Sequence, residues 1–231
     1  MIFSMFRNLE EKEKSDAIEN LICESTPRRE FFMMVILSIA MATCGLLLNS
    51  AAVIIGSMLI APILSPILSL SLGLVMSDYK LIKRSFYTLL KSTLFALAAA
   101  VIIAIFLLPQ EYGMTAEIES RTQVSIVYLI IAMVAGIAAS FAYVKESLNK
   151  TLPGVAISVA IIPPLAVSGI GIAMLDWDVI SQAFFLFASN VVGIVFASTI
   201  VFSLMNLYSK RKVAQATVKK EDLELKKENS V

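Results

Sequence analysis

The first thirty residues mix charged and apolar positions, and the chain then turns apolar at Phe31. Leu9, Ile18, Leu21 and Ile22, with charge pairs such as Glu10 and Lys14, predict an amphipathic helix over 8–24. From 31 to 77 no residue is charged. One helix of that length would run to about 70 Å at about 1.5 Å per residue. A bilayer core is only about 30 Å thick, so two crossings share the run. Asn49-Ser50, polar residues suited to an N-cap, divide it. Further uncharged stretches follow at 92–110, 122–144, 151–175 and 179–209. The pattern predicts an all-α polytopic membrane protein with six transmembrane helices, at 31–48, 50–76, 85–108, 125–144, 153–175 and 180–208.

Lysine and arginine decide the orientation, because cytoplasmic loops are enriched in them. Arg28, Arg29, Lys80, Lys83, Arg84, Lys145, Lys150, Lys210, Arg211 and Lys212 fall on one side of a six-crossing chain, and Arg121 alone on the other. Glu111, Glu117, Glu119 and the Asp176-Trp177-Asp178 turn occupy the opposite loops. A multi-pass protein of the cell (inner) membrane with both termini cytoplasmic follows. The same count favours a full crossing of 50–76 over a re-entrant hairpin, which would carry Lys80, Lys83 and Arg84 outside. The polar start lacks the short basic head and single short apolar core of a cleaved signal, so no cleavage is expected. The charged ends are expected to be solvated.

Two of the six segments carry prolines at corresponding places. Without a gap, Val53 falls on Val155, Ile55 on Ile157, Ile60 on Ile162 and Pro62 on Pro164. Three segments per copy is an odd number, so the second copy enters from the other side. This predicts a 3+3 inverted repeat with helices two and five broken by proline, an architecture of many secondary transporters. Its parts are a cytoplasmic helix in 1–30, repeat one in 31–108, an external loop in 109–124, repeat two in 125–208 and a cytoplasmic charged tail in 209–231. Pro62 cannot donate to the carbonyl of Met58, and Pro163 and Pro164 leave those of Val159 and Ala160 unpaired. Residues before proline avoid the α region, which marks Ala61, Ser65 and Ile162 as unwound points. Ser65-Pro66 reads as N-cap and first residue of a restarted half-helix, whose N-terminus carries roughly half a positive charge.

Free backbone at membrane depth must face protein, water or solute. The crossing of the two breaks is therefore the expected binding or permeation site, built from Asn49, Ser57, Met58, Pro62, Ser65, Pro66, Ser158, Val159, Ala160, Pro163, Pro164, Ser168 and Asn190. Half-helix N-termini suit an anion, freed carbonyls a small cation, and serines either. Each feature has a plainer reading: prolines as kinks, Ser57 and Gly136 as packing contacts, Asn190 as an interhelical hydrogen bond, and Lys91 as a snorkelling side chain.

Composition narrows the chemistry. Of 231 residues 58% are hydrophobic and 16% charged, against roughly a quarter charged in soluble domains. The formal charge of +1 offers no basic excess for nucleic acid. The absence of histidine removes imidazole zinc sites, Ser-His-Asp systems and haem on a proximal histidine. Cys23 and Cys44 form no CxxC. No enzyme activity, catalytic residue, metal or cofactor is expected. A 25.2 kDa bundle has little thickness to shield a polar centre from lipid, so a homo-oligomer in the bilayer is expected, with Gly136 and Ser140 as a small-residue face for a neighbour.

At Asn49-Ser50-Ala51-Ala52-Val53-Ile54-Ile55-Gly56-Ser57-Met58-Leu59-Ile60-Ala61-Pro62, and again at Pro153-Gly154-Val155-Ala156-Ile157 through Pro163-Pro164-Leu165, the chain resembles a known family. These are the uncharacterised hydrophobic-domain membrane proteins grouped as domain of unknown function 389, and the resemblance covers about residues 28 to 208. Ser57, Ser158 and Ile161 replace that family's more usual alanines and leucine. The resemblance implies a membrane location and a prokaryotic source, and transfers no substrate. The expected function is a transporter or channel moving an ion or small polar solute through the crossing of helices two and five. The alternative is a non-transporting structural or regulatory membrane protein assembled through helix packing. A wettable cavity reaching the proline breaks separates the two.

Overall fold

The computed structural model describes residues 10–107, 114–145 and 153–228, with the side chains of 153–160 left out of the description. Among these residues every regular element is helical: α1 (Glu11–Glu24), α2 (Arg29–Leu47), α3 (Ala51–Ile60), α4 (Leu64–Met76), α5 (Tyr79–Leu107), α6 (Ala116–Glu119), α7 (Ile126–Val144), α8 (Pro153–Met174), α9 (Trp177–Leu204) and α10 (Arg211–Glu228), with a 3₁₀ turn at Leu207–Lys210. Four helices, α2, α5, α7 and α9, are long and apolar enough to cross a membrane; α3 and α4, bent by 52°, make a fifth when taken together. Their outer faces expose large apolar side chains such as Phe106, Ile126 and Val192, the surface that lipid requires.

Three helix-to-helix corners share one construction. Gly45, Gly73 and Gly171 each accept, at 2.8 to 3.0 Å, the amide of the residue five positions on: Ser50, Asp78 and Asp176. The residues between, Asn49, Ser77 and Leu175, have φ of 52°, 50° and 57°. This left-handed residue followed by a six-to-one bond closes a helix end. Asp78 and Asp176 then start the next helix, each accepting two backbone amides on Oδ1. Glycine is required for proximity here: a Cβ on Gly73 would meet Ile82 N at 3.0 Å, and one on Gly171 would meet Ile180 N at the same distance.

α8 lies at the centre, in contact with α2, α3, α5, α7 and α9, and every residue from 161 to 170 is buried. The expectation that helix five is broken is corrected here. Pro163 and Pro164 sit inside one continuous helix, and Ile162 is helical rather than unwound. Proline's own φ is helical, but each ring removes a hydrogen bond and crowds the carbonyl four residues back, a cost that the surrounding packing offsets. In a position buried on all sides, unwinding would strand further amides and carbonyls with no partner. The packed helix is the cheaper arrangement.

Two surface expectations also change. The charged C-terminal stretch is not a free tail: α10 lies across the end of the bundle and packs on α1, with Ala214, Val218 and Glu221 buried. Gly136 and Ser140 are used within the chain. A Cβ on Gly136 would meet the Ile194 carbonyl of α9 at 3.0 Å, and Ser140 donates to the Gly136 carbonyl at 2.8 Å. Lys91 places its ammonium 4.6 Å from the Phe32 ring centre and 5.7 Å from that of Phe95, a cation–π arrangement.

Candidate functional site

α3 stops at Ile60 because Ala61 takes an extended conformation (φ −74°, ψ 118°) before Pro62, as the residue preceding proline prefers. α4 restarts at Leu64 with Ile63 as its N-cap. The last carbonyls of α3 and the first amides of α4 thus meet at one short break without partners inside their own helices. A groove of about 570 Å³ opens onto it. Ile60, Ala61, Pro62 and Ser65 form the wall made by the broken helix. Glu24, Thr26, Arg28 and Glu30 supply the polar side, and Phe31, Met34 and Leu59 the apolar one.

One contact sets the electrostatics. Ser65 Oγ donates to Glu24 Oε2 at 2.9 Å, so the last residue of α1 places a carboxylate at the first turn of α4. The anion that a half-helix N-terminus attracts is supplied here by the protein itself. Ser65 was expected as the N-cap with Pro66 first in the helix; it is instead the second helical residue, and its hydroxyl turns to Glu24. A carboxylate has about four lone-pair sites, so Glu24 keeps acceptor capacity beyond Ser65.

The other expected site residues are dispersed. Pro66 is buried behind Ser65, and the Met58 side chain is 2% exposed one turn before the break. Ser57 donates to the Ile54 carbonyl at 2.6 Å and its own carbonyl accepts from Ser38, a packing role. Asn49 stands at the opposite end of α3, in the left-handed corner, with Oδ1 accepting from Glu117 N at 3.1 Å. Pro163 and Pro164 are enclosed in α8, and Ser168 donates to the Pro164 carbonyl at 2.9 Å. Asn190 is buried within α9. Ser158, Val159 and Ala160 belong to α8, but their side chains lie outside the described residues. Pro62 and Ser65 thus share one groove, whereas Pro163 and Pro164 are enclosed in α8, which packs on α3.

Sequence reasoning missed the groove's charged side, which comes from Glu24, Arg28 and Glu30 and is held from behind by α10. Glu221 of α10, 2% exposed, accepts from Arg28 Nη2 at 2.9 Å, Thr26 Oγ1 at 2.9 Å and Cys23 Sγ at 3.2 Å. Arg84 of α5 donates to Thr26 Oγ1 at 2.7 Å, and Arg28 also pairs with Glu224 at 3.0 Å. The available signal was the acidic run Glu221-Asp222, read as solvated because no local pattern pairs it with residues near 26. Burial alone would raise the Glu221 carboxyl, but the bonds from Cys23, Thr26 and Arg28 outweigh it and hold the group below the usual glutamate range. Burial, together with the hydrogen bond and charge of Glu221, pushes the Cys23 thiol up to about 11. That leaves about a hundredfold less thiolate than at the ordinary value of 9.0. Glu221→Gln is expected to speed alkylation of Cys23 by roughly tenfold at pH 7.5, followed by mass spectrometry. An unchanged rate would separate Cys23 from the Glu221 clasp.

Comparison with known proteins gives a family without an activity. A family profile described as a domain of unknown function (DUF389) matches residues 58–196. An uncharacterized protein of Methanocaldococcus jannaschii is 33% identical over 204 residues, covering 84% of this chain. The chain spans 63% of that relative's length. No solved structure matches the chain.

Proposed function

Because the chain belongs to the DUF389 family, a domain of unknown function, its activity has to be read from its own site, and we propose a transporter or channel for a small cation that enters by the groove at the break of helix two. The observation that carries this is the groove itself: it reaches the unwound backbone at Ala61 and Pro62 and is walled by Glu24, Thr26 and Ser65. Carbonyls at a half-helix C-terminus, here the end of α3, are suited to a cation. The N-terminus of α4, which would suit an anion, already faces Glu24. Arg28, the one basic residue lining the groove among the described residues, is committed to Glu221 and Glu224.

The reading includes six crossings, with α8 as the fifth in chain order: it is 22 residues long and carries no charge. The three-plus-three inverted repeat draws support from the matched corners at Gly73-Asp78 and Gly171-Asp176, each closing the second crossing of a copy. It also includes a homo-oligomer in the cell membrane, without enzymatic activity. Both chain ends then lie in the cytoplasm, since α1 and α10 share an end of the bundle with Lys80, Arg84 and Arg211. Lys83→Cys should be labelled by an impermeant maleimide only from the cytoplasmic side, and Glu117→Cys only from outside. Labelling of position 83 from outside would overturn the orientation and the six-crossing arrangement together.

The function is tested by flux into proteoliposomes, comparing sodium, potassium and thallium with chloride and sulfate. Cation flux above that of empty vesicles is the expected result. Flux of anions alone would reverse the proposed selectivity. The absence of any flux would favour the second reading, a non-transporting membrane scaffold, which draws support from the burial of Pro163 and Pro164.

A further inference from the structure

Three acids of α10 pair with basic residues of the bundle: Glu221 and Glu224 with Arg28, and Asp222 with Lys80 at 2.7 Å and Arg84 at 3.7 Å. Lys219 and Lys226 are exposed and make no ion pair among the described residues. They stand two turns apart on one side of the helix, about 10 Å by helix rise. Leu223, between them, is 53% exposed on a helix that is otherwise strongly polar.

The helix packs on α1 and is tied by side-chain bonds to the start of α2 and to the corner between α4 and α5. Arg211 Nη2 donates to the Ser77 carbonyl, Gln215 to Asp78, and Asp222 and Glu221 reach Lys80 and Arg28. α10 therefore lies across the ends of α2, α4 and α5, at the level where their apolar spans begin. Where it passes the first turn of α5 there is a cleft of about 460 Å³, lined by Lys80, Lys219, Asp222, Leu223, Leu225 and Lys226. Its three ammonium groups face one carboxylate, itself engaged by Lys80 and Arg84.

We propose that this cleft binds the headgroup of an anionic phospholipid. The phosphate sits between Lys219 and Lys226, near Lys80, and the glycerol with the first methylenes covers Leu223 and Leu225. Charge complementarity requires an anion, and paired lysines beside a membrane surface attract acidic lipid. The leucines select a lipid over a free inorganic anion, because a small ion leaves them in water. The site lies outside the groove, and its test does not depend on transport.

The test uses the full chain in mild detergent, titrated with dimyristoyl phosphatidylglycerol or the matching phosphatidylethanolamine and read by native mass spectrometry. Phosphatidylglycerol should bind the tighter of the two. The double variant Lys219→Gln, Lys226→Gln should weaken it roughly twenty-five-fold, the product of two lysine contacts worth about fivefold each. Lys212→Gln, Lys220→Gln, on the same helix but outside the cleft, should leave it within about twofold. Millimolar inorganic phosphate should not displace the lipid. Equal binding of the two lipids, an equal loss in both double variants, or displacement by phosphate would each overturn the proposal. The first and second indicate general surface charge, and the third a free-anion site.

Discussion

Glu24→Lys is expected to abolish cation flux in proteoliposomes while the protein still folds. The substitution places an ammonium at the first turn of α4, where the half-helix already presents roughly half a positive charge. Two unit charges about 5 Å apart at an effective dielectric of about 20 interact by roughly 3 kcal/mol. Glu24 is exposed, and solvent screening reduces this to about 1.5 kcal/mol for loss of one charge. Glu24→Gln should therefore slow flux by about tenfold and Glu24→Lys by a hundredfold or more. Folding survives because the side chain lies on the surface and what is lost is the Ser65 bond, a contribution of about 1 kcal/mol, together with its polar contact to the Tyr143 hydroxyl of α7. Unchanged cation flux in a well-folded Glu24→Lys variant would refute the groove as the cation path. Flux that turns instead to chloride would keep the path and confirm that Glu24 sets its sign.

Gly169→Leu is expected to leave almost no folded protein. An added Cβ at position 169 would clash with Ala100 Cβ, the closest approach among the described glycines, and the neighbour is itself a methyl group with nowhere to rotate. α8 and α5 touch at this point in the middle of the core. Gly169→Ala alone forces the helices apart, at a cost of about 1 to 3 kcal/mol for overpacking, and leucine exceeds what a small bundle can absorb. Thermal unfolding followed by size-exclusion chromatography reads the effect. Gly56→Ala is the comparison: there the added atom meets only Met41 Cε, the end of a flexible side chain, and the shift should be small. Pairing Gly169→Ala with Ala100→Gly should restore most of the lost stability, since it moves one methyl across the same contact. No recovery in that pair would move the cause of the loss away from the α5–α8 contact.

Much of this architecture can be read along the chain. The uncharged runs locate α2, α5, α7 and α9 to within a few residues, except that α5 starts at Tyr79 rather than 85. Asn49-Ser50 marks the first corner, with Ser50 as the N-cap of α3. Ala61-Pro62 marks the break. These are local effects, since a missing amide, a left-handed residue or a run of apolar side chains acts on the backbone within one or two turns.

The two proline motifs show where that reasoning ends. Pro62 and Pro164 look equivalent in sequence, yet one lines an open groove and the other is enclosed in α8. A proline decides that one hydrogen bond is lost. Whether the helix then unwinds depends on what surrounds it: at Ala61 the break opens on a cavity, whereas around Pro164 closely packed side chains would leave further backbone groups stranded. The same limit hid Glu24 at the start of α4, and Glu221, which lies far along the chain from Arg28 and Thr26. Hydropathy and capping are set by neighbours in sequence, so the amino acids alone determined the spans, the corners and the first break. Charge pairing and cavity shape are set by neighbours in space, so only the tertiary structure decided that the chain ends close over the bundle and that its one open break carries a carboxylate.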